Sequence, residues 1–278
     1  MNSSVRALYT PFAFIIGMIS FANPLLAADW QATQGDVLTV EVESPGTKPV
    51  LRCFGKAWPV QAIREGYWRG WVGVDLKQKA GNYPLLWQGR EHKIRQQLAV
   101  IKGNFRVSNI TVEKKMAVFD KPTLARIRKE VNSLKATYTM PVEATPTISM
   151  SALPVQGVIS TPFGAQRYVN GEPRSPHSGL DIAAPAGSPI QVPLAGRVLL
   201  VSHMYLNGNT VVIGHGNGLV SVYSHMQSSN IHQGDWVKTG SILGKVGSTG
   251  RATGPHLHWG IRFNNARINP DSLLHHVH

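Results

Sequence analysis

At 278 residues the chain has room for two domains, and 42% hydrophobic content is enough for globular cores. A single cysteine, Cys53, excludes an intrachain disulfide framework and any all-thiolate metal site. The 28 Lys and Arg against 15 Asp and Glu give a formal net charge of +13, a field that attracts polyanions, but the basic residues are scattered and no nucleic-acid motif accompanies them.

The first segment reads as an export signal. Arg6 provides a weak basic start, Pro11 to Phe21 is apolar but short for a bilayer span, and Leu25-Leu26-Ala27-Ala28 leads into polar sequence at Asp29. Cleavage is expected near Ala27 or Ala28, with an uncleaved anchor as the alternative. The protein is then expected to be exported, to the periplasm, with no membrane-spanning segment after cleavage, and its polyanion to be cell-wall polymer or membrane surface rather than nucleic acid.

Residues 29–102 alternate in short runs broken by turn residues. Val37 to Val42, Val50 to Phe54, Tyr67 to Val74, Tyr83 to Trp87 and His92 to Ile101 predict an antiparallel β-sandwich. Trp58, Trp68, Trp71 and Trp87 are expected in its core and rim. Cys53 packs there as a small apolar residue. Residues 103–154 form a connector. Within Phe119 to Tyr138, Leu124, Ile127, Val131 and Leu134 recur at helical spacing, with Asp120 or Thr123 as cap and Pro122 in the first turn. Arg126, Lys129, Glu130 and Lys135 are expected on the solvated face. Pro141 to Pro154 reads as a linker or a wrapping arm.

From Val155 the chain is rich in Gly, Val and Ile, which predicts a compact, mostly antiparallel β-domain over 155–278. Its expected strands are Arg197–Ser202, Thr210–Ile213, Leu219–Tyr223, Ile242–Val246 and His256–Phe263. Gly247 to Gly254 is expected to be a mobile loop; it lacks the Gly-Lys-Ser/Thr ending of a phosphate loop.

In the last strand, His256 and His258 project to one face while Leu257 and Trp259 take the other. Neutral imidazole is a common metal ligand and acid–base group. His177 and Asp181 stand four residues apart. On a straight strand their Cα atoms would be ~13 Å apart, so sharing one ion requires a bend, which Ser175-Pro176 and Gly179 permit. His225 ends an apolar run. His203, His215 and His232 read as surface or structural residues, and His275, His276 and His278 as a polar tail.

Pro162-Phe163-Gly164, the run Asn170 to Pro185 containing His177 and Asp181, Tyr223-Ser224-His225-Met226, and Thr253 to Trp259 together resemble the lysostaphin/LytM type of zinc peptidoglycan endopeptidase, of exported Gram-negative type. The resemblance implies His177, Asp181 and His258 as Zn2+ ligands, with His225 and His256 beside the metal as catalytic residues in an undivided acid–base role. It also implies peptidoglycan as substrate, at D-alanine to diaminopimelate cross-links, with Gly-Gly links as the Gram-positive equivalent. Other cell-wall or envelope proteins are possible partners. A non-catalytic relative that binds wall or activates an amidase is the alternative, and a secreted protease for glycine-rich proteins a third reading. The resemblance further allows the sandwich to fold over the groove, so that deletion to about Met150 would raise activity.

Overall fold

The computed structural model describes residues 29–90, 93–145 and 147–274. The expected export signal and the C-terminal His275, His276 and His278 lie outside these residues. The protein is mainly β, with one α-helix connecting an N-terminal pair of curled sheets to a larger C-terminal sheet.

The N-terminal half comprises β1 (Trp30–Thr33), β2 (Val37–Glu43), β3 (Val50–Cys53), β4 (Lys56–Trp58), β5 (Val60–Arg64), β6 (Tyr67–Gly73), β7 (Gly81–Gln88) and β8 (Lys93–Ile101). One sheet has the order β1-β8-β7-β3-β4 and the other β2-β6-β5. All pairings are antiparallel except β1 with β8. Val40 and Val42 turn inward while Glu41 and Glu43 face water, the period-two pattern of a half-buried strand. The two sheets meet closely at Gly70, where a Cβ would fall 2.4 Å from Leu51 and 2.9 Å from Trp87. Trp58, Trp71 and Trp87 are buried with Cys53, whose thiol pKa burial pushes up to about 12.

The two halves share one continuous apolar core. Trp58 packs on Phe263 with ring centroids 5.3 Å apart. Asp75 accepts hydrogen bonds from the Arg267 backbone N at 2.8 Å and Nε at 3.0 Å, and pairs with Nη2 as well.

The connector is built into the C-terminal fold. Its strand β9 (Val107–Ile110) pairs in parallel with β11 (Gln166–Val169). After a 3-10 turn at Lys114–Met116 comes α1 (Lys121–Thr137), capped by Asp120, whose carboxylate accepts from Thr123 N at 2.8 Å. The helix docks shallowly: Leu124, Ile127 and Leu134 are half-buried and Val131 is exposed. Glu130, expected in solvent, instead accepts from Tyr205 N at 2.8 Å and holds the helix on the sheet. The Pro141–Pro154 segment is a wrapping arm, with Ile148 and Met150 fully buried and Met150 N bonded to Leu273 O at 3.1 Å.

The C-terminal strands are β10 (Val158–Thr161), β11, β12 (Glu172–Pro173), β13 (Gly179–Ala183), β14 (Pro189–Gln191), β15 (Gly196–Met204), β16 (Gly208–Gly216), β17 (Leu219–Ser229), β18 (Trp236–Val237), β19 (Ile242–Val246), β20 (His256–Phe263) and β21 (Ala266–Ile268). The main sheet runs β10-β13-β20-β17-β16-β15-β18. Leu180, Ile182, Tyr223, Leu257, Trp259 and Ile261 fill the core on one face. On the other face, Val220 and Val222 pack under Tyr138 and Leu134 of the helix region, and the remainder of that face carries the histidines.

Candidate active site

Strand register places the site. Asp181 on β13 lies directly opposite His258 on β20, and Ala183 opposite His256. Residues opposite one another in an antiparallel pair share a face, so Asp181, His256 and His258 all stand on the side of the sheet away from the core. His177 lies just before β13. Its backbone N bonds Ala165 O and its O accepts from Gly164 N, both at 2.8 Å, which turns the chain so that both members of the His-x-x-x-Asp pair reach one point. Gly179 allows the turn because a Cβ there would sit 2.4 Å from Trp259 O.

His177 Nε2, Asp181 Oδ1 and His258 Nδ1 form a small triangle. The edges are 2.9 Å between the imidazoles, 2.9 Å from His177 to Asp181 and 2.7 Å from His258 to Asp181. Among the described residues these three form a group able to hold a metal ion. The surrounding contacts leave the right atoms facing inward. His177 Nδ1 donates to Pro162 O at 3.0 Å, so its Nε2 presents a lone pair. Arg167 Nη2 donates to Asp181 Oδ2 at 2.6 Å, leaving Oδ1 for the triangle. Two nitrogens and one carboxylate oxygen suit Zn2+, and three protein donors leave a fourth position open. The cluster therefore fits a Zn2+ cofactor of the catalytic kind.

Burial works to raise the pKa of Asp181, but hydrogen bonds from His177 and His258 outweigh it and hold the carboxyl well below its usual range. Burial also depresses His258 to about 4, against the opposing pull of Asp181. Both groups are thus in the protonation states that a metal requires at neutral pH.

His225 arrives by a different route. Between the pairs Val211–Tyr223 and Asn209–Met226, two residues of β17 oppose Thr210 alone. This β-bulge puts His225 in left-handed backbone at φ 64°. Strict alternation would turn His225 into the core and Met226 outward; the bulge reverses both, and Met226 is fully buried. His225 then lies 4.7 Å from His256 and 6.2 Å from His258 between ring centroids. His225 Nδ1 donates to Thr249 O at 2.8 Å and His256 Nδ1 to Gly254 O at 2.9 Å. A carbonyl can only accept, so each neutral ring carries its proton on Nδ1 and keeps Nε2 as an open lone pair. Burial, followed by the neighbouring His256 and His258, lowers the pKa of His225 to about 3.

A cleft of about 360 Å³ lies over this face. The Gly247–Gly254 segment that borders it was expected to be mobile but is fastened: Thr249 Oγ1 donates to Met226 O at 2.8 Å and accepts from Asn209 N at 2.9 Å, and Arg251 N donates to Leu206 O at 2.8 Å. Ile110 and Val112 of the connector line one wall, and among the described residues of 29–102 none lines the cleft. The sandwich therefore does not cover the groove. His215 is fully buried and bonded to Ala195 O, and His203 and His232 are exposed, all away from the cluster. Sequence reasoning missed Arg167 and Arg251, which carry no motif signal, and the wall contributed by β9.

Peptidase family M23 matches residues 175–270. A crystal structure of a Pseudomonas aeruginosa protein assigned to peptidase M23 is 33% identical, with a TM-score of 0.70 over 87% of this chain and 94% of that one. The DD-carboxypeptidase/endopeptidase Mpg of Neisseria meningitidis is 39% identical over 115 residues, covering 41% of this chain and 26% of the relative. The peptidoglycan DD-endopeptidase ShyC of Vibrio cholerae is 39% identical over 117 residues, covering 41% and 27%. The match thus spans about a quarter of the length of these curated relatives. The similarity to the Pseudomonas structure runs through both halves and the connector, beyond the segment that holds the histidines, and the chain belongs to peptidase family M23, with the zinc-peptidase fold the sequence resemblance implied.

Proposed function

We propose that this protein is a periplasmic zinc endopeptidase that hydrolyses peptide cross-links of peptidoglycan, at the amide between D-alanine and diaminopimelate. The observation that carries this reading is the pairing of a three-donor cluster with two imidazoles whose Nε2 atoms are open to the same cleft. In this reading His177 Nε2, Asp181 Oδ1 and His258 Nδ1 hold Zn2+. A bound Zn2+ supplies a Lewis acid for the scissile carbonyl and lowers the pKa of its water.

The chain's own residues do the rest. Arg167 fixes the Asp181 carboxylate through the oxygen that faces away from the triangle. The carbonyls of Thr249 and Gly254 hold the His225 and His256 rings in one tautomer, which keeps two proton acceptors ready at Nε2. One Nε2 takes the proton of the attacking water. The imidazolium so formed donates to the developing oxyanion and then returns its proton to the leaving amine, while the other ring stays neutral beside it. Burial keeps the His225 ring neutral. The DD-endopeptidase activities of Mpg and ShyC support that bond over Gly-Gly, and the basic net charge suits an anionic wall.

The test uses purified mature protein with its zinc content measured. Digestion of purified wall, read by mass spectrometry, should release peptides cut between D-alanine and diaminopimelate, and His256→Ala should abolish them. Zinc-loaded protein that releases no cut cross-links, with His256→Ala indistinguishable from it, sinks the enzyme reading and favours the wall-binding alternative.

A further inference from the structure

We propose that Arg251 forms a carboxylate-binding subsite in the cleft, which selects cross-links whose scissile nitrogen is attached to a carbon bearing a free carboxylate. This deepens the function proposed above and rests on it for the identity of the bond.

Arg251 and Arg167 both line the cleft together with His225, His256 and His258. Their situations differ. Arg167 is matched by Asp181 at 2.6 Å. Arg251 has no carboxylate partner among the described residues; its guanidinium makes one long contact, Nη1 to Met116 O at 3.4 Å. Its backbone is fastened at Leu206 O, so the side chain starts from a fixed point. Burial and then the like charges of Arg167 and Arg174 press its pKa down, the signature of a half-buried cation surrounded by cations. Arg174 is turned to the connector, where Nη2 reaches Ala117 O at 3.3 Å. The positive charge left over in the cleft is therefore that of Arg251.

A guanidinium offers five donors in a planar fork that a carboxylate fills two at a time. A cleft of about 360 Å³ holds only the residues next to the reacting bond, so the matching anion must sit close to it. In a D-alanine–diaminopimelate link, the carbon bonded to the scissile nitrogen carries a free carboxylate. A Gly-Gly bridge carries none there. The arginine thus supplies a chemical reason for choosing the first bond.

The experiment measures binding to the zinc-loaded full chain by calorimetry. The probes are two alanyl-diaminopimelate peptides with a ketomethylene in place of the scissile amide. One keeps the free carboxylate on the adjacent carbon and the other has a primary carboxamide there. The wild type should bind the carboxylate form about 10–100-fold more tightly, the range of one charged hydrogen-bonded pair. Arg251→Gln should collapse that preference to within about threefold, and Arg251→Lys should fall between, since it keeps the charge and loses the fork. A wild-type preference near one, or a preference that survives in Arg251→Gln, overturns the subsite. Cleavage of the parent amide is followed in parallel. An uncut amide with the binding preference intact defeats the endopeptidase reading and leaves the subsite standing; a cut amide without the preference does the reverse.

Discussion

His215 offers a measurement whose size follows from its surroundings. It is fully buried on β16, with Nδ1 donating to Ala195 O at 2.8 Å and Nε2 lying 2.8 Å from Ser221 Oγ. Burial lowers its pKa from 6.5 to about 4, against the opposing pull of backbone carbonyls at Ala195 and Leu194. Below pH 6.5 the unfolded chain takes up a proton that the folded chain refuses until about pH 4. The stability held by neutral His215 is therefore complete above pH 6.5 and is lost as the pH falls through that window. A shift of this size corresponds to about 3 kcal/mol between pH 7 and pH 4. The assay is urea unfolding by tryptophan fluorescence at pH 7, 6, 5 and 4, in excess chelator so that metal binding adds no pH dependence of its own. His215→Gln keeps a donor and an acceptor but cannot titrate. His225 and His258 contribute to both profiles and cancel in the difference. The wild-type profile should fall by about 3 kcal/mol more than the variant's over this range. Parallel profiles would refute the assignment of a buried neutral imidazole at this position.

Two further outcomes are expected. Arg167→Met should weaken zinc affinity by about 10–100-fold, the usual cost of losing a partner that orients a ligand; chelator competition checks this, and unchanged affinity would mean that Asp181 needs no such support. Deleting residues through Met150 should yield insoluble or metal-poor protein rather than a more active one, because it removes β9 from its pairing with β11 and strips Ile148 and Met150 from the core. Burial of those two side chains alone contributes about 3–6 kcal/mol. A soluble, zinc-loaded fragment with faster wall digestion would restore the self-blocking picture drawn from sequence.

Much of the fold could be read locally. β19 and β20 fall on their predicted ranges, and α1 begins at Asp120, one of the two predicted caps, because periodicity and caps are short-range signals. The five candidate site residues were visible as His-x-x-x-Asp, a strand histidine and His-x-His. Their convergence was not, since it depends on the Asp181–His258 register and on a bulge that no dipeptide announces. Tertiary contacts also overrode local composition once, where a glycine-rich loop expected to move is fastened through Thr249. The Pro- and Thr-rich segment is the wrapping arm of the two readings, held by Ile148 and Met150 in the core. Arg167 and Arg251 resemble any other basic residue until the chain brings them into the cleft.

The bulge in β17 ties chemistry to folding. A one-residue slip of that strand would carry the His225 imidazole into the apolar layer and push the Met226 thioether into water. Such a slip cannot misplace the first without also displacing the second. Changes that spoil the histidine spacing in this way should therefore rarely persist as stable, inert copies of the protein; they would unfold and be degraded, so the core acts as a proofreader for the geometry of the histidine-bearing face.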